Sequence, residues 1–250
     1  MSRTLSWFSC GAASAIATGL ILKSRPDTIP VYCETGAEHP DNRRFMRDCE
    51  TWFGKLVECI CSEKYHDTWD VWERRKYISG VSGAPCTVEL KVAPRLLFQR
   101  PTDVHVFGYT ADAPDVDRAT RLRETYPELS IKTPLIECGL TKAACLAMLN
   151  NIGIRIPALY ELGFHNNNCI PCCKATSPDY WALVRKHFPQ QFERMAKLSR
   201  SLNARLTRLG HDRAFIDEIP DDWPTTLPVT PACDFLCHIA EQDLHHPHQE

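Results

Sequence analysis

The strongest constraint in this 250-residue chain is an alternation, through its first half, of short strand-forming runs with helix-forming ones. Thr4-Leu5-Ser6-Trp7-Phe8 reads as a buried strand, and Ala15 to Lys23 as the helix after it. Ile29-Pro30-Val31-Tyr32-Cys33 reads as a second strand. Asp41 is placed to cap the next helix, which runs through Phe45 and Cys49 to Trp52. Leu56 to Ser62 gives a third strand and Val104 to Gly108 a fourth. A fifth near Ile131 closes at Pro134-Leu135-Ile136. Such alternation predicts βαβ crossovers, hence an α/β fold with a parallel twisted sheet and helices on both faces. Ligands of such sheets bind at the carboxyl ends of the strands, near the topological switch point.

Beyond Pro157 the pattern changes. Asn166-Asn167-Asn168-Cys169-Ile170-Pro171-Cys172-Cys173 has neither helical nor strand period. Tyr180 to His187 and Gln190 to Leu202 read as helices interrupted near Pro189. Asp217 to Pro231 is rich in proline and reads as extended and irregular, and His245 to Glu250 as a frayed tail. The expected organisation is a nucleotide-binding α/β domain over residues 1–157, with a cysteine-loop and helical region over 158–250 packed on it.

A net charge of -2 with 24% charged residues offers no general field for nucleic acid. The Arg-rich run from Arg118 to Arg123 reads as a solvated helix face. Met1 to Leu22 loosely resembles a secretory signal, but Ser6, Ser9, Ser14, Thr18 and two glycines dilute its apolar stretch. No run approaches the roughly 20 apolar residues of a membrane span. The expectation is a cytoplasmic protein with no membrane partner. Thirteen cysteines fit reduced thiols, some bound to metal, better than a disulfide framework, because a chain this long can build a core.

Two segments carry chemistry. Ser9-Cys10-Gly11-Ala12-Ala13-Ser14 joins a strand to a helix through small residues. Its backbone N–H groups and the helix dipole suit an anion, and the Ser9 and Ser14 hydroxyls can donate to it. It is neither a GxGxxG nor a Gly-Lys-Ser/Thr loop. Cys169-x-x-Cys172, with Cys173 beside it, suits a redox dithiol, half of a zinc site or an iron–sulfur centre. Cys10, Cys33, Cys49, Cys59, Cys61, Cys138 and Cys145 are expected to be small buried hydrophobes.

Taken in order, these segments resemble the sulfonucleotide (phosphoadenylyl-sulfate/adenylyl-sulfate) reductase family of the PP-loop adenine nucleotide α-hydrolase superfamily. The likeness extends to its phage and bacterial branch with an Asn-Asn-Asn-Cys-x-x-Cys loop. Ser9 to Ser14 is similar to the PP-loop, and Glu34-Thr35-Gly36 to the family's Asp-Thr-Gly. Cys86 with Leu90-Lys91 and Pro94 resembles its cysteine-then-Arg-Lys-then-Pro segment. Phe107-Gly108-Tyr109 with Arg118-Ala119 falls where the family has its Thr-Gly and Arg-rich nucleotide loop. Pro134-Leu135-Ile136, Ile156-Pro157, Leu162-Gly163 and the cysteine loop follow in family order, over roughly residues 4 to 175.

The resemblance implies that Ser9, Cys10, Gly11, Ala12 and Ser14 hold phosphate groups and that Thr35, Gly36 and Gly108 line the nucleotide pocket. Lys91 and Arg118 would supply positive charge. It implies a 4Fe-4S cluster on Cys86, Cys169 and Cys172, with Cys173, Cys233 or Cys237 as fourth ligand; zinc is the rival metal. Thr87 stands where the family's second adjacent cysteine would be, and Ala13 where the ATP-cleaving members carry aspartate. Cys237-His238 is similar in position to the family's mobile C-terminal cysteine, which is followed closely by histidine and attacks the sulfur of the bound sulfonucleotide. The surrounding Glu-Cys-Gly-Leu-His pattern is missing.

The activity so implied is sulfonucleotide reduction, with a thioredoxin-like electron donor recycling the thiol. The alternative is ATP-dependent sulfur or group transfer to a nucleobase of tRNA or DNA, with nucleic acid as the partner. A third reading is a nucleotide- or redox-sensing module without turnover.

Overall fold

The computed structural model describes residues 2–225, 230–232, Ala240 and Leu244. Five strands, β1 (Thr4–Trp7), β2 (Ile29–Cys33), β3 (Glu58–Ile60), β4 (Val104–Val106) and β5 (Ser130–Lys132), form one sheet. All its pairings are parallel, in the order β3-β2-β1-β4-β5. The helices, in chain order, are α1 (Ala12–Ser24), α2 (Asn42–Phe53), α3 (Thr68–Arg75), α4 (Pro85–Thr87), α5 (Ala93–Phe98), α6 (Ala113–Thr125), α7 (Pro134–Glu137), α8 (Lys142–Ile152), α9 (Ala158–Glu161), α10 (Pro178–His187) and α11 (Pro189–Ser201). A π-helical turn, Val88–Val92, joins α4 to α5. A small antiparallel hairpin, β6 (Thr207–Leu209) and β7 (Asp212–Ala214), follows α11. This is a Rossmann-like α/β architecture. Among the described residues no helix is long and apolar enough to cross a membrane.

Strand alternation sends successive side chains to opposite faces, and the contacts say which helices cover each. Ser6 Oγ meets Thr18 Oγ1 of α1 at 2.8 Å inside the core. Phe8, on the same face, packs with Ala12 and Ile16 of α1, Phe45 and Cys49 of α2, and Leu146 and Leu149 of α8. The other face carries Arg3, Trp7 and His105. Arg3 Nη2 donates to the Phe98 carbonyl at the end of α5 (3.0 Å), and Arg95 of α5 stacks on Tyr126 after α6. The chain therefore runs outward from β1 to β2 and β3 under one set of helices, then crosses to β4 and β5 under the other. The order reverses between β1 and β4, which is the topological switch point. A second apolar cluster joins Trp69 and Trp72 of α3 to Leu159, Trp181, Phe192 and Met195 of the C-terminal helices.

Two expectations about elements are corrected. α1 begins at Ala12, three residues before the expected Ala15, so Ala12 to Ser14 belong to its first turn. Pro134-Leu135-Ile136 is not strand: β5 ends at Lys132, and Pro134 opens α7. Proline has no N–H for a ladder and its fixed φ suits a first helical position. The hairpin β6–β7 and helices α3, α5 and α8 were not anticipated as elements; of α6 only the Arg118–Arg123 run was read as a helix face.

Helix α1 is buried on most of its circumference, and its Gly19 is a packing choice. A Cβ added there would lie 2.3 Å from Trp52 Cη2 and 2.7 Å from Cζ2. Glycine to alanine inside a helix ordinarily gains about 0.5–1 kcal/mol. Here Gly19→Ala is expected to destabilise by about 1–2 kcal/mol, because overpacking forces the indole to move. Adding Trp52→Leu should recover the loss. Denaturant melts of both variants check it, and a stabilised single variant would refute it.

Candidate functional site

A cavity of about 350 Å³ opens at the carboxyl ends of β1, β2 and β4, at the switch point. On one side is the start of α1, where the N-cap Gly11 brings no capping side chain and the first turn no acidic residue, though the Ala12 N–H donates to the Tyr160 hydroxyl (3.4 Å). The positive end of its dipole is thus left for something else. The Ser14 hydroxyl accepts from the Ser9 N–H (3.0 Å), the Ser9 hydroxyl (3.1 Å) and the Gly11 N–H (3.3 Å), and donates to the Gly11 carbonyl (2.9 Å). These bonds close the turn on itself, so both hydroxyls brace the loop rather than stand free. Cys10 holds the bend with φ of 56°, in the left-handed region that a non-glycine residue rarely visits.

Gly108, just past β4, seals this side. A Cβ there would lie 2.7 Å from Ser14 Cα and 2.8 Å from Ser14 N, both backbone atoms. The strand end and the helix start approach this closely only because residue 108 has no side chain. Phe107 and Tyr109 flank it with stacked rings, centroids 5.8 Å apart, and the Arg118 guanidinium lies 5.4 Å from the Tyr109 ring centre. Trp7 completes an aromatic wall. Such a wall suits the flat face of a base.

The opposite wall comes from the π-helical turn and α5. Lys91, Val92 and Arg95 face the cavity, with Cys33, Glu38 and Cys169 beside them. Lys91 is reached by solvent yet ringed by protein. Burial works against its charge, but Cys169, Glu38, Cys172 and Cys33 outweigh it and hold its ammonium pKa above the ordinary value. Lys142 closes the rim, donating to Asn166 Oδ1 (2.6 Å) and the His165 carbonyl (3.1 Å). Burial lowers its pKa.

Three residues lock the cysteine loop to this frame. Asn167 Nδ2 donates to the Cys10 carbonyl (2.5 Å) and to Asn42 Oδ1 (2.8 Å). The Ile170 N–H donates to the Ala37 carbonyl (2.7 Å). Thr35 Oγ1 lies 3.0 Å from Cys169 Sγ. Burial first, then Glu38, pushes the Cys169 thiol up to about 11 despite Lys91. Behind it Cys86 Sγ and Cys173 Sγ are 3.6 Å apart. The hydrogen bond with Cys173 draws Cys86 down to about 7 and holds Cys173 up. Cys172 stands close enough to raise the thiols of both Cys169 and Cys173 when it ionises. The Tyr180 hydroxyl accepts from the Cys172 N–H (2.6 Å) and reaches the Cys169 carbonyl (3.4 Å).

Ser9, Gly11, Ser14, Lys91, Gly108 and Arg118 therefore line one cavity. Cys10 and Ala12 lie buried behind the loop, shaping it instead of facing a ligand. Thr35 is also buried, tied to Glu38 and Cys169. Gly36, with φ of 68°, packs against the His66 carbonyl, where a Cβ would come to 2.5 Å. Cys86, Cys169, Cys172 and Cys173 gather in one region, with Cys169 on the cavity wall. Among the described residues no three His, Cys, Asp or Glu side chains are drawn together as a metal would hold them. Cys233, Cys237 and His238 lie outside the described residues. Of the cysteines expected to be buried hydrophobes, Cys10, Cys49 and Cys145 are. Cys59 and Cys61 are exposed at and beyond edge strand β3, and Cys33 lines the cavity. Sequence reasoning also missed Trp7, Glu38, Arg95, Lys142 and Tyr160 of the lining. Only their place in the fold brings them there.

No protein-family model matches this chain, and no curated protein matches it in sequence.

Proposed function

We propose that the cavity is an adenine-nucleotide site of PP-loop type and that the protein acts on a sulfonucleotide beside a cysteine-bound iron–sulfur cluster. One observation carries the reading: a single cavity at the switch point joins an uncapped helix start, cations and an aromatic wall to a cysteine thiol. Phosphate oxygens suit the start of α1 and the Lys91 ammonium, and a base suits the rings of Trp7, Phe107 and Tyr109. Cys169 in the wall puts the cysteine region next to whatever the cavity holds.

The donor set suits a soft metal centre. Four thiols from two segments, Cys86 and the 169–173 loop, favour iron–sulfur or zinc over oxygen-loving ions. A bound cluster would supply redox capacity and an electrostatic neighbour for the substrate anion. The protein's own part is to hold the nucleotide phosphate at α1 and to exclude water with the aromatic wall. A thiolate, Cys237 by resemblance, would attack the sulfate sulfur. An S–S bond forms, the S–O bond to phosphate breaks, and the nucleotide leaves with that electron pair. A thiol of a thioredoxin-like donor then attacks the cysteine sulfur of the adduct, forming a disulfide and releasing sulfite.

Anaerobic full-length protein should carry stoichiometric iron and sulfide and release sulfite from a sulfonucleotide. Cys169→Ala or Cys172→Ala should abolish the cluster absorbance. Zinc without sulfide would sink the cluster. Pyrophosphate release from ATP with a tRNA or DNA acceptor, and no sulfite, would replace reduction by nucleobase transfer.

A further inference from the structure

Cys59 and Cys61 belong to nothing described above. Both are exposed, and neither lines the cavity. Cys59 lies on edge strand β3, in register with Tyr32 of β2. The Glu34 N–H donates to the Ile60 carbonyl (2.9 Å), so the ladder still runs where Cys61 begins. Residues two apart on an extended chain share a face, with Cα atoms about 6.6 Å apart. Cys59-Ile60-Cys61 therefore sets two thiols side by side on one face of an open sheet edge. That face lies under α2, whose Met46 brings its Sδ to 4.0 Å from Cys59 Sγ. Met46 is itself half-buried against the main core, which fixes its thioether there. Cys59 Sγ also reaches the Val57 carbonyl at 3.8 Å.

Three sulfurs around one ion, each about 2.3 Å from it, lie about 4.0 Å from one another when the site is trigonal. Met46 and Cys59 already keep that separation. One donor is a thioether, so the set is not one of His, Cys, Asp and Glu alone, of which no trio is gathered among the described residues. Glu34, Glu50 and Glu58 act on the Cys59 sulfur as negative charges, with Arg43 opposing them, a field that favours a cation. Thiolate and thioether together select soft ions. Three donors fall one short of the four that zinc takes, and suit Cu(I). We propose that Met46, Cys59 and Cys61 form a site for a single Cu(I) ion at the β3 edge. The site is independent of the nucleotide and cluster readings, since none of its three residues enters either. On binding, the ion replaces the two thiol protons, which pass to solvent. Met46 Sδ donates a lone pair, and no electron is transferred.

The test is an anaerobic titration of the full chain with Ag(I), a redox-inert ion of the same charge and softness. Excess glutathione keeps single thiols from competing. The chain has four methionines, and carbon-13 labelling of their methyl groups gives each its own NMR signal. Met46 is assigned by its absence in Met46→Leu. Its signal should move as one equivalent of Ag(I) enters, while the other three hold. In Cys59→Ser and in Cys61→Ser it should stay in place at the same equivalence. A Met46 signal that ignores Ag(I), or that still moves in either serine variant, overturns the proposal. Movement with Zn(II) as readily as with Ag(I) overturns the choice of a soft ion.

Copper itself supplies the second measurement. Against a chromophoric Cu(I) chelator, wild type should withhold one ion per chain more than the Cys59→Ser, Cys61→Ser double variant. Met46→Leu should weaken that ion by at least about tenfold, since even residues outside the coordination sphere cost that much. Both cysteines are exposed, and leucine replaces methionine at similar volume. The variants should therefore keep the fold, which thermal melts check. Equal retention by wild type and the double variant makes Cys59 and Cys61 ordinary surface thiols and overturns the site. Copper held by wild type but indifferent to Met46→Leu overturns its three-sulfur form.

Discussion

Gly108→Ala is expected to cost at least tenfold in nucleotide affinity and about 1–3 kcal/mol in stability, the usual range for forcing a methyl into filled space. The added Cβ would meet Ser14 Cα at 2.7 Å, Ser14 N at 2.8 Å and Ala13 C at 3.0 Å. All three are backbone, so no side chain can swing aside. The start of α1 must move off β4, carrying the Ser9–Ser14 turn with it, and a small displacement of positioned donors is expensive. Gly11→Ala is the contrast. Its Cβ would lie 3.4 Å from Tyr160 Oη and 3.7 Å from Ser9 Oγ, ordinary contacts, and its φ of -103° suits any residue. Affinity should therefore survive Gly11→Ala and fail in Gly108→Ala, although both glycines flank the same loop. Titration with adenosine 5′-phosphate, alongside thermal melts, reads both effects. Equal affinity in the two variants would mean that the close approach of β4 to α1 does not shape the site.

The largest effect on the fold itself is expected at Asp103. Its side chain is buried, and Arg3 grips it with Nε–Oδ1 at 3.1 Å and Nη2–Oδ2 at 2.6 Å. The Arg100 N–H adds a bond to Oδ2 at 2.8 Å. Asp103→Ala leaves that N–H without an acceptor and the Arg3 fork with only the Phe98 carbonyl. Because Arg3 is partly exposed, the expected loss is about 2–3 kcal/mol, below the 3–5 kcal/mol of a fully buried pair. Burial raises the Asp103 pKa, but the Arg3 hydrogen bond and the Arg100 N–H together bring it below the ordinary carboxylate value. A carboxylate with a depressed folded pKa contributes stability that is whole above its unfolded pKa, near 4. That contribution is lost as pH falls through the folded pKa. The gap between wild type and Asp103→Ala should thus be constant from neutral pH down to about 4 and close only below it. Urea melts at a series of pH values measure it. A gap that closes nearer neutrality would assign the effect to another group.

The parallel sheet was legible because β1, β2 and β4 are apolar, β-branched or aromatic runs bounded by small or polar residues. Their number and spacing leave little besides a βαβ architecture. Helix α8 was not, and its sequence shows why: Lys-Ala-Ala-Cys-Leu-Ala-Met-Leu-Asn-Asn-Ile is packed from Ala144 to Leu149 with buried residues. A helix covered on several sides carries little of the polar stripe that betrays a helix by period. Helix α6 is the opposite case, legible only in its Arg118–Arg123 stretch as a solvated face. Only Ala119 of it is buried, so its arginines read as surface. Within the site, Ser9, Gly11 and Ser14 could be named from a local strand–loop–helix pattern. Arg95 could not. That an arginine is enclosed, faces a cavity and lacks a counter-ion among the described residues depends on Trp7, His105 and Tyr126 meeting α5 in space, and none of the three neighbours it in sequence. The difference between Gly11 and Gly108 is likewise tertiary, set by how closely one strand end approaches one helix start.

The cavity draws its walls from both layers of helices, α1 on one face of the sheet and α5 on the other. A molecule that touches both becomes a removable cross-link between layers that lie on opposite faces of the sheet. Such a cross-link binds the folded chain and not the unfolded one, so it raises the free energy of unfolding by mass action. At a hundred times its dissociation constant the gain is about 2.7 kcal/mol. The melting temperature of this protein is then a function of ligand concentration, and a thermal-shift screen of anionic metabolites reads out which of them spans the gap.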